Sequence, residues 1–352
     1  MNAVVRLNLD IDTGELSSSL RLKRAAESLR NLSPKFGRIV ILSHRGRPNG
    51  IDKSLSLKPI VSELSSKSRR KIVFLDGNPE HHIEKIIAKK GIFALENTRF
   101  LAGENKNSSS LAGVFASFGD VFINDDFATA HRTQASNVGI AEYLTSLEGP
   151  IMRMELNALK KIMGHPARPF TLIVGGGKMS SKLPVIKNLI SKTDNVLLGG
   201  GAGNTALKAA GYNVGKSLFE SSLVSETKKL ISNQKVLYPA DFRVSGKSIL
   251  DIGPNTVSAF SDIISSSKTV VWAGPLGMFE RKAFSKGTEA VARAIAKTDC
   301  FSVAGGGETT SAIISYGLEN KFSFLSTGGG AMLEFLAGKK LPALEALRIK
   351  YR

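Results

Sequence analysis

Four Gly-Gly-Gly triplets in the second half of the chain constrain what it can fold into more than any other feature. They occupy positions 175–177, 199–201, 305–307 and 328–330, and each follows a short apolar run. The runs, at 171–174, 196–198, 301–304 and 322–325, have the length of buried strands. Glycine at a strand end lets a phosphate or a nucleotide ring approach the backbone amides closely. Four triplets in register with strands therefore predict a nucleotide site in this half of the chain.

Length and composition are those of an ordinary soluble globular protein with two domains. The chain has 352 residues, of which 42% are hydrophobic and 22% are charged, and this length exceeds what one core usually organises. No apolar run approaches the roughly 20 residues that span a bilayer. Cys300 is the only cysteine, which excludes an intramolecular disulfide, and no signal-peptide pattern follows Met1. We expect a cytoplasmic protein without a membrane partner.

The formal net charge of +18 would attract any polyanion, from a phosphorylated metabolite to a nucleic acid. Much of the excess is lysine dispersed over candidate helices, which is typical of solvated helix faces. The sequence contains no zinc-finger spacing, no aromatic RNA-binding signature and no basic leucine-zipper pattern. Specific nucleic-acid binding is therefore not expected.

Short apolar runs alternate with helical patterns along the chain. In the first half, strands are predicted near 4–9, 38–43, 72–75, 92–95 and 121–124. Amphipathic stretches such as 20–32 and 58–67 lie between them, with apolar residues every three to four positions. This alternation predicts an α/β fold of parallel βαβ units with helices on both faces of each sheet.

A long helix over 151–163 is predicted to join two domains of this kind. It begins after Gly149 and Pro150 and ends before Gly164, His165 and Pro166, which are sound boundary signals. The predicted domains cover 1–150 and 165–337, with the connecting segment at 151–164 and a C-terminal tail at about 338–352.

Cationic side chains stand at or just beyond strand ends in the first half. They are His44 and Arg47 in the stretch 43–48, Arg99 in 95–100, and Arg132 at the end of 124–132. Ligands of open α/β sheets bind beyond the carboxyl ends of the strands. Guanidinium groups bind carboxylate and phosphate through paired hydrogen bonds. These positions therefore predict a pocket for a small molecule that carries both kinds of anionic group.

Taken in order, the motifs resemble those of the phosphoglycerate kinase family over nearly the whole chain. They are SHRGRP at 43–48, LENTRF at 95–100, the stretch 124–136, GGGKMSSK at 175–182, DIGP at 251–254, WAGPLGMFE at 272–280, GGGE at 305–308 and STGGGA at 326–331. The resemblance implies a monomer of two Rossmann-like, three-layer αβα domains with parallel sheets joined by a hinge helix. It also implies that the C-terminal tail packs back on the first domain.

The resemblance implies roles for individual residues of the first domain. The positions that match the family's 3-phosphoglycerate-binding residues are Asn8, Asp10, Arg21, His44, Arg47, Arg99 and Arg132. Arg21 would also meet the phosphoryl group during transfer, together with Lys178 and Lys182 of the second domain. These three residues are the expected catalytic residues.

In the second domain the resemblance implies a site for ADP or ATP with Mg²⁺. The matching nucleotide-binding positions are Gly176, Lys182, Gly199, Gly200, Glu280, Gly306, Gly307, Glu308 and Thr309. Glu280 would bind the ribose and Glu308 would help to hold the metal. Lys178 and Lys182, four residues apart, are expected at the start of a helix where both can face the phosphates.

The chain departs from the family pattern at several of these positions. The family's opening motif RVDFNVP is RLNLDID at 6–12, so that aspartate and asparagine are exchanged as Asn8 and Asp10. Glu308 and Ser181 each stand where the family has an aspartate, and Ala273 stands where it has an asparagine. The chain is also short for the family, which predicts trimmed loops. Two alternatives stay open, a kinase for a different phosphorylated or carboxylated acceptor and a non-catalytic protein that binds nucleotide or nucleic acid.

Overall fold

The computed structural model describes residues 1–349, and positions 350–352 of the predicted C-terminal tail lie outside the described residues. Internal contacts divide the chain into two compact units. Unit 1 consists of residues 1–156 and the C-terminal segment that begins at Lys340, and unit 2 is Asn157–Lys339. The division falls within the helix Pro150–Met163, so that this helix belongs partly to each unit.

Unit 1 is built on a wholly parallel sheet. Its strands are β1 Asn2–Arg6, β2 Arg38–Leu42, β3 Ile72–Leu75, β4 Gly91–Leu95, β5 Val121–Asn124 and β6 Thr145–Glu148, and its helices are α1 Leu20–Leu32, α2 Lys58–Ser68, α3 Ile83–Ile86, α4 Ser109–Ala116, α5 Pro150–Met163 and, at the C-terminus, α13 Pro342–Ile349. The strand order is β3-β4-β2-β1-β5-β6. Strands β2, β3 and β4 lie on one side of β1, and β5 and β6 lie on the other, so a topological switch point lies between β1 and β5.

Apolar side chains cover both faces of this sheet, as a parallel sheet requires. On one face Val5 and Ile41 pack with Leu22 and Leu29 of α1, and Ile60 of α2 joins the same cluster. On the other face Val4, Val40 and Phe122 pack with Phe115 of α4 and with Ala346 of α13. Ala343 at the start of α13 also donates its N–H to the Ala130 carbonyl at 3.1 Å. The C-terminal helix is thus part of the core of unit 1.

Unit 2 repeats the same plan. Its strands are β7 Phe170–Val174, β8 Asn195–Leu198, β9 Val236–Leu237, β10 Phe242–Ser245, β11 Ser248–Ile252, β12 Thr269–Ala273, β13 Phe301–Gly305 and β14 Phe324–Ser326, and its helices are α6 Leu183–Leu189, α7 Gly200–Ala209, α8 Val224–Ile231, α9 Pro254–Ser266, α10 Lys286–Lys297, α11 Gly307–Ser315 and α12 Gly330–Leu336. The parallel sheet has the order β14-β13-β12-β7-β8-β9. Its switch point lies between β7 and β12, where the first glycine triplet follows β7.

The α/β fold with parallel sheets is confirmed, and several elements differ from their predicted form. Strand β6 is not predicted, because only Ser146 of its four residues is buried and the run carries little apolar signal. The strand predicted at 322–325 is observed two residues later, at Phe324–Ser326. Strands β10 and β11 form an antiparallel hairpin outside the main sheet of unit 2. This hairpin borders the cleft described below.

None of the helices within residues 1–349 combines the length and the apolar character that crossing a membrane would require.

A buried carboxylate fixes the start of α5. Asp125 Oδ1 accepts the N–H groups of Ile151 at 2.6 Å and Met152 at 3.0 Å, while the Ser28 hydroxyl of α1 donates to Oδ2. A Cβ atom on Gly149 would lie 2.4 Å from Oδ1, so glycine is needed for the chain to pass this carboxylate. Burial raises the pKa of Asp125 to about 6, against the lowering effect of these three donors.

This raised pKa predicts a pH-dependent contribution to stability. Ionised Asp125 is less favourable in the folded than in the unfolded chain, so its contribution is complete at about pH 4 and is lost as pH rises through about 6. Relative to Asp125→Asn, we expect the wild-type free energy of unfolding to fall by up to about 3 kcal/mol between pH 4 and pH 7. Urea denaturation at both pH values measures it. Asp76→Asn, at an exposed site, is the control, and a difference that grows with pH would contradict the assignment.

Candidate active site

The loops that follow β1, β2, β4 and β5 meet at the carboxyl edge of the sheet of unit 1. They carry Asn8 and Asp10, His44, Arg99, and Asp126 with Arg132, respectively. Because all these strands are parallel, their ends bring residues from distant parts of the chain to one place beside the switch point. Most of the side chains predicted to bind substrate are therefore neighbours in space.

A buried ion network lies under this edge. Arg6, which ends β1, is fully buried, at 0% exposure, and its Nη2 contacts His44 Nδ1 at 2.8 Å and Asp126 Oδ2 at 3.5 Å. Asp126 Oδ1 also accepts from Asn8 Nδ2 at 3.1 Å. Although burial alone would raise it, the charge of Arg6 lowers the pKa of Asp126, and the hydrogen bonds from Thr129 act in the same direction. The ionised pair fixes the positions of Asn8 and His44.

The contact with Arg6 sets the state of His44. A guanidinium group can only donate, so Nδ1 of His44 must accept and Nε2 must carry the proton of a neutral ring. Burial lowers the pKa of His44, Arg6 and Arg99 act in the same direction, and Asp10 opposes them. The protonated Nε2 lies 3.6 Å from Asp10 Oδ2.

Asp10 is the partly exposed carboxylate of the network, with 39% of its side chain exposed to solvent. Its Oδ1 accepts the Gly46 N–H at 2.8 Å, and its backbone carbonyl accepts Arg21 Nη1 at 2.6 Å. Although burial would raise it, the contacts with His44 and Gly46 and the charge of Arg21 hold the pKa of Asp10 well below its usual range. Arg21 of α1 is thereby brought to the same edge.

Three guanidinium groups crowd together here. Burial, then the charges of Arg6 and Arg132, lower the pKa of Arg99 to about 10. Arg99 Nη1 donates to the Gly46 carbonyl at 2.5 Å. This hydrogen bond fixes the direction of the side chain, and other N–H donors of its guanidinium group remain for a ligand. A cluster of like charges of this kind is stabilised by an anion.

Arg47, also predicted to bind substrate, is exposed, and none of the contacts within residues 1–349 joins it to this network. The residues that sequence reasoning missed are the buried ones. Arg6 and Asp126 form the base of the site, and Glu104, at 0% exposure, accepts from Thr98 and Ser136 and so ties together the loops of Arg99 and Arg132. A charged residue at the end of an apolar central strand, as at Arg6, was the available signal.

A cavity of about 430 Å³ also lies in unit 1, beside Leu95, Phe100, Leu101 and Phe115. Its lining is mostly apolar and includes none of the residues predicted to bind substrate. It is distinct from the anion site, although Asn97, at its wall, begins the short turn that carries Arg99.

In unit 2 the first two glycine triplets pack backbone against backbone with the loop after β12. The Gly176 N–H donates to the Pro275 carbonyl at 2.7 Å, and the Gly176 carbonyl accepts from the Gly201 N–H at 2.8 Å. The Gly200 N–H donates to the Leu276 carbonyl at 3.0 Å. The amides of Gly176, Gly200 and Gly201 are thus bound to protein and are not open to a phosphate.

The reason for glycine at these positions is space. A Cβ atom on Gly175 would lie 2.2 Å from the Pro275 carbonyl oxygen, and one on Gly201 would lie 2.4 Å from the Gly177 oxygen. Gly274 lies against Gly175 with a φ of 94°, in the left-handed region. At Gly199 the side chain of Leu276 occupies the space that a Cβ atom would need. These glycines form a thin backbone wall.

This wall borders a cleft of about 200 Å³. The cleft is lined by Gly176, Gly177, Gly200, Gly201, Asn204, Leu218, Pro239, the stretch 249–252, the stretch 275–278, Glu280 and Glu308. Glycine surfaces and apolar side chains make up most of this lining, and the carboxylates of Glu280 and Glu308 are exposed beside it. Its shape and chemistry suit a flat ring with polar groups at one end.

The two predicted lysines lie at and just before the start of α6. Lys182 is the N-cap residue of this helix, which begins at Leu183, as the expected helix start requires, whereas Lys178 lies in the turn before it. Lys182 Nζ lies 3.9 Å from the position of a Cβ atom on Gly176. Burial lowers the pKa of Lys182, and Glu308 and Glu220 oppose this. The ammonium group is thus at the cleft wall.

Ser181 and Glu220 hold the lysine turn in place. The Ser181 hydroxyl accepts from Lys182 Nζ and donates to the Lys178 carbonyl, both at 3.0 Å. The Glu220 carboxylate accepts the Ser180 N–H at 2.6 Å and the Ser180 hydroxyl at 2.7 Å. Serine at 181 therefore keeps a polar contact at this position.

The third triplet starts α11. Gly306 has a φ of 100°, and a Cβ atom on Gly307 would meet nothing within 4 Å, so space is open beside this helix start. Glu308 is exposed there, whereas Thr309 is buried and its hydroxyl accepts the Gly274 N–H at 2.8 Å. Thr309 thus joins the start of α11 to the loop after β12.

Comparison with known proteins gives a consistent result. A family model described as phosphoglycerate kinase matches residues 3–339. The chain belongs to the phosphoglycerate kinase family. The protein is therefore a kinase, an enzyme that transfers a phosphoryl group.

Relatives named phosphoglycerate kinase match over nearly their full lengths. Those from Francisella tularensis and Francisella philomiragia are 38% identical over 374 aligned positions, which cover 98% of this chain and 94% of theirs. The aligned positions outnumber the residues of this chain, so the relatives carry insertions. Solved structures of phosphoglycerate kinases from Coxiella burnetii (TM-score 0.86, 35% identity) and Pyrococcus horikoshii (TM-score 0.88, 29% identity) cover 100% and 99% of this chain, and the alignments cover 97% and 96% of theirs.

The buried network predicts unequal effects for two aspartates of this kinase. Asp126→Asn would leave the buried Arg6 without its counter-ion, so we expect a loss of about 3 kcal/mol in the free energy of unfolding. Asp10→Asn, at a more open position, should cost less than about 1 kcal/mol. Urea denaturation of the two variants at pH 7 measures both, and equal losses would show that the pairing with Arg6 does not anchor the site.

Proposed function

We propose that the protein transfers a phosphoryl group reversibly between ATP and the carboxyl group of 3-phosphoglycerate. The observation that carries this proposal is the position of Arg99 and Arg132 beside neutral His44, above the buried pair of Arg6 and Asp126, at the switch point of unit 1. A molecule with a carboxylate and a phosphate supplies two anionic ends for such a cluster. Membership of the phosphoglycerate kinase family supports the same acceptor.

ATP or ADP would bind in the cleft of unit 2. The thin glycine wall and the side chains of Leu218, Leu276 and Met278 offer flat apolar surfaces to the adenine. Glu280 is placed to accept hydrogen bonds from ribose hydroxyls. Lys182 and Lys178 would meet the phosphates, together with the first amides of α11, which have no acceptors within their own helix.

The residues present fit Mg²⁺ held jointly with the nucleotide. Within residues 1–349 no cluster of three or more His, Cys, Asp or Glu could hold a metal ion. Mg²⁺ is often held by one or two carboxylates, substrate phosphates and water, and Glu308 supplies an exposed carboxylate at the start of α11. When bound, the metal would neutralise charge on the phosphates.

Phosphoryl transfer depends on how the protein positions the two reactants and neutralises the charge on the phosphoryl group. The carboxylate oxygen of the acceptor attacks the terminal phosphorus of ATP, the bond from that phosphorus to the bridging oxygen breaks, and ADP leaves with the electron pair. Both oxygens are already ionised, so no general base is required. Arg21, Lys178 and Lys182 would stabilise charge on the group in transit. Transfer requires the acceptor and the nucleotide to lie in line with each other and to be shielded from water.

A kinase for a different small acid is the second candidate function. It is favoured by one observation, that the ionised carboxylate of the opening motif stands at Asp10 whereas the family pattern has it at position 8. Asp10 is partly exposed and so can contact an acceptor directly.

Turnover by purified protein tests the main proposal. In a coupled assay with Mg²⁺, ATP and 3-phosphoglycerate, we expect Lys182→Ala and Arg21→Ala each to lower kcat by about 100-fold or more, because each removes a positive charge from the group in transit. Lys208→Ala, at an exposed site on α7, is the control and should retain full activity. Absence of turnover by the wild-type protein, or full activity of Lys182→Ala, would exclude the proposal.

The exchange at 8 and 10 is tested by restoring the family order. For Asn8→Asp/Asp10→Asn we expect the KM for 3-phosphoglycerate to change by less than about tenfold, since both arrangements accept a hydrogen bond from a hydroxyl group. Rates with other phosphorylated and unphosphorylated hydroxy acids are measured in parallel. A wild-type preference for another acid that the double variant loses would favour the second candidate function instead.

A further inference from the structure

A buried carboxylate beside the nucleotide cleft takes no part in the chemistry described above. Asp251 is in β11 and only 2% exposed, and it lies on the lining of the cleft. Its Oδ2 accepts the Gly287 N–H at 2.8 Å, and Oδ1 accepts the Ile252 N–H at 2.9 Å. Gly287 is in the first turn of α10, so a carboxylate from the hairpin caps this helix.

The same carboxylate sets the position of the loop that walls the cleft. A Cβ atom on Gly277 would lie 2.2 Å from Asp251 Oδ1, and one on Gly287 would lie 2.4 Å from it. The loop and the helix thus close on the carboxylate from two sides. Glycine is required at both positions for this contact.

Further hydrogen bonds join the loop to the same two elements. The Thr288 hydroxyl of α10 accepts the N–H groups of Leu276 at 3.1 Å and Gly277 at 3.3 Å. The Leu250 carbonyl of β11 accepts the Met278 N–H at 2.8 Å. In turn the Leu276 carbonyl accepts from Gly200 at the start of α7. Asp251 therefore lies where the hairpin, α10 and the cleft loop join.

We infer that Asp251 is a positioning residue for the nucleotide, acting through the loop 275–280 that it holds against α10. This inference rests on the proposed binding of ATP or ADP in the cleft. Because the carboxylate acts through this loop, its loss should weaken nucleotide binding without slowing the chemical step.

The ionised form is the one that accepts both N–H groups. Burial raises the pKa of Asp251 to about 6, while the N–H groups of Gly287 and Ile252 and the charge of Arg243, its cross-strand partner in β10, lower it. Tyr316, which follows α11, also faces Asp251, and Glu289 of α10 and Glu280 face the tyrosine. Burial first, and then these carboxylates, raise the pKa of Tyr316 to about 12, so the tyrosine keeps its proton wherever Asp251 titrates.

Nucleotide affinity and turnover of one variant test the inference. In Asp251→Asn one of the two N–H groups loses its acceptor, so we expect the Kd for ADP, measured by calorimetry, and the KM for ATP to rise about tenfold. The kcat should stay within about twofold of the wild-type value, and the KM for 3-phosphoglycerate should not change. Glu289→Gln, a carboxylate on the same helix, is the matched control and should keep wild-type values.

A pH series provides a second, independent readout. Adenosine is the probe, because it carries no phosphate and does not titrate between pH 5 and pH 8, and its binding is followed by NMR titration. We expect wild-type affinity to fall about tenfold from pH 8 to pH 5 as Asp251 gains a proton, and Asp251→Asn to be nearly independent of pH.

The outcomes are distinguishable. Wild-type Kd and KM values in Asp251→Asn, or a lower kcat with unchanged nucleotide affinity, would overturn the positioning role and leave the proposed function intact. Failure of wild-type protein to bind ADP at all would overturn both. If Asp251→Asn fails to fold, the pH series of adenosine binding to the wild-type protein tests the inference instead. An adenosine affinity that is equal at pH 5 and pH 8 would overturn it.

Discussion

Parallel strand pairing is the constraint on which the rest of this structure depends. In each main sheet the earlier strands lie on one side of the first strand and the later strands lie on the other, with the switch between β1 and β5 in unit 1 and between β7 and β12 in unit 2. Every strand of such a sheet ends at the same edge, so loops distant in sequence must meet there. Arg6, His44 and Asp126 are neighbours for this reason, as are the glycine triplets and the loop after β12.

The two units use this edge in opposite ways. In unit 1 charged side chains are buried, because Arg6 pairs with His44 and Asp126, and Asp10, Arg99 and the neighbouring guanidinium groups lie above them. Unit 2 has glycines at this edge, so that backbone N–H and carbonyl groups hydrogen-bond to one another directly. They form a thin wall that a flat ligand can approach. A buried ion pair is costly unless it is fully paired, which explains why the unit 1 site depends on so many side-chain hydrogen bonds.

The sequence predicted what depends on local pattern and on motifs. Apolar runs located most strands, and the signals around Pro150 and Gly164 located α5 to within a residue. It missed β6 because that strand is half polar, and it missed the roles of Glu104 and Asp251 because each has a partner, Ser136 and Gly287, that lies 32 and 36 residues away in the chain, respectively. It also placed Lys178 at a helix start, since its spacing of four from Lys182 suggests one, whereas Lys178 lies in the turn before α6, where Glu220 from a distant segment accepts from Ser180. Tertiary partners of polar groups are not encoded in local periodicity.

The exchange of Asn8 and Asp10 shows how a site can change a motif and retain its electrostatics. Asn8 still donates to Asp126, which keeps the pair with Arg6, and Asp10 accepts from Gly46 and faces the protonated Nε2 of His44. The network therefore keeps two carboxylates beside its arginines, but the second is now partly exposed. An exposed carboxylate accepts a hydrogen bond from an acceptor hydroxyl and repels an anion at the same point. Asp10 thus favours acceptors that present a hydroxyl group to it and keep their anionic groups on the arginines.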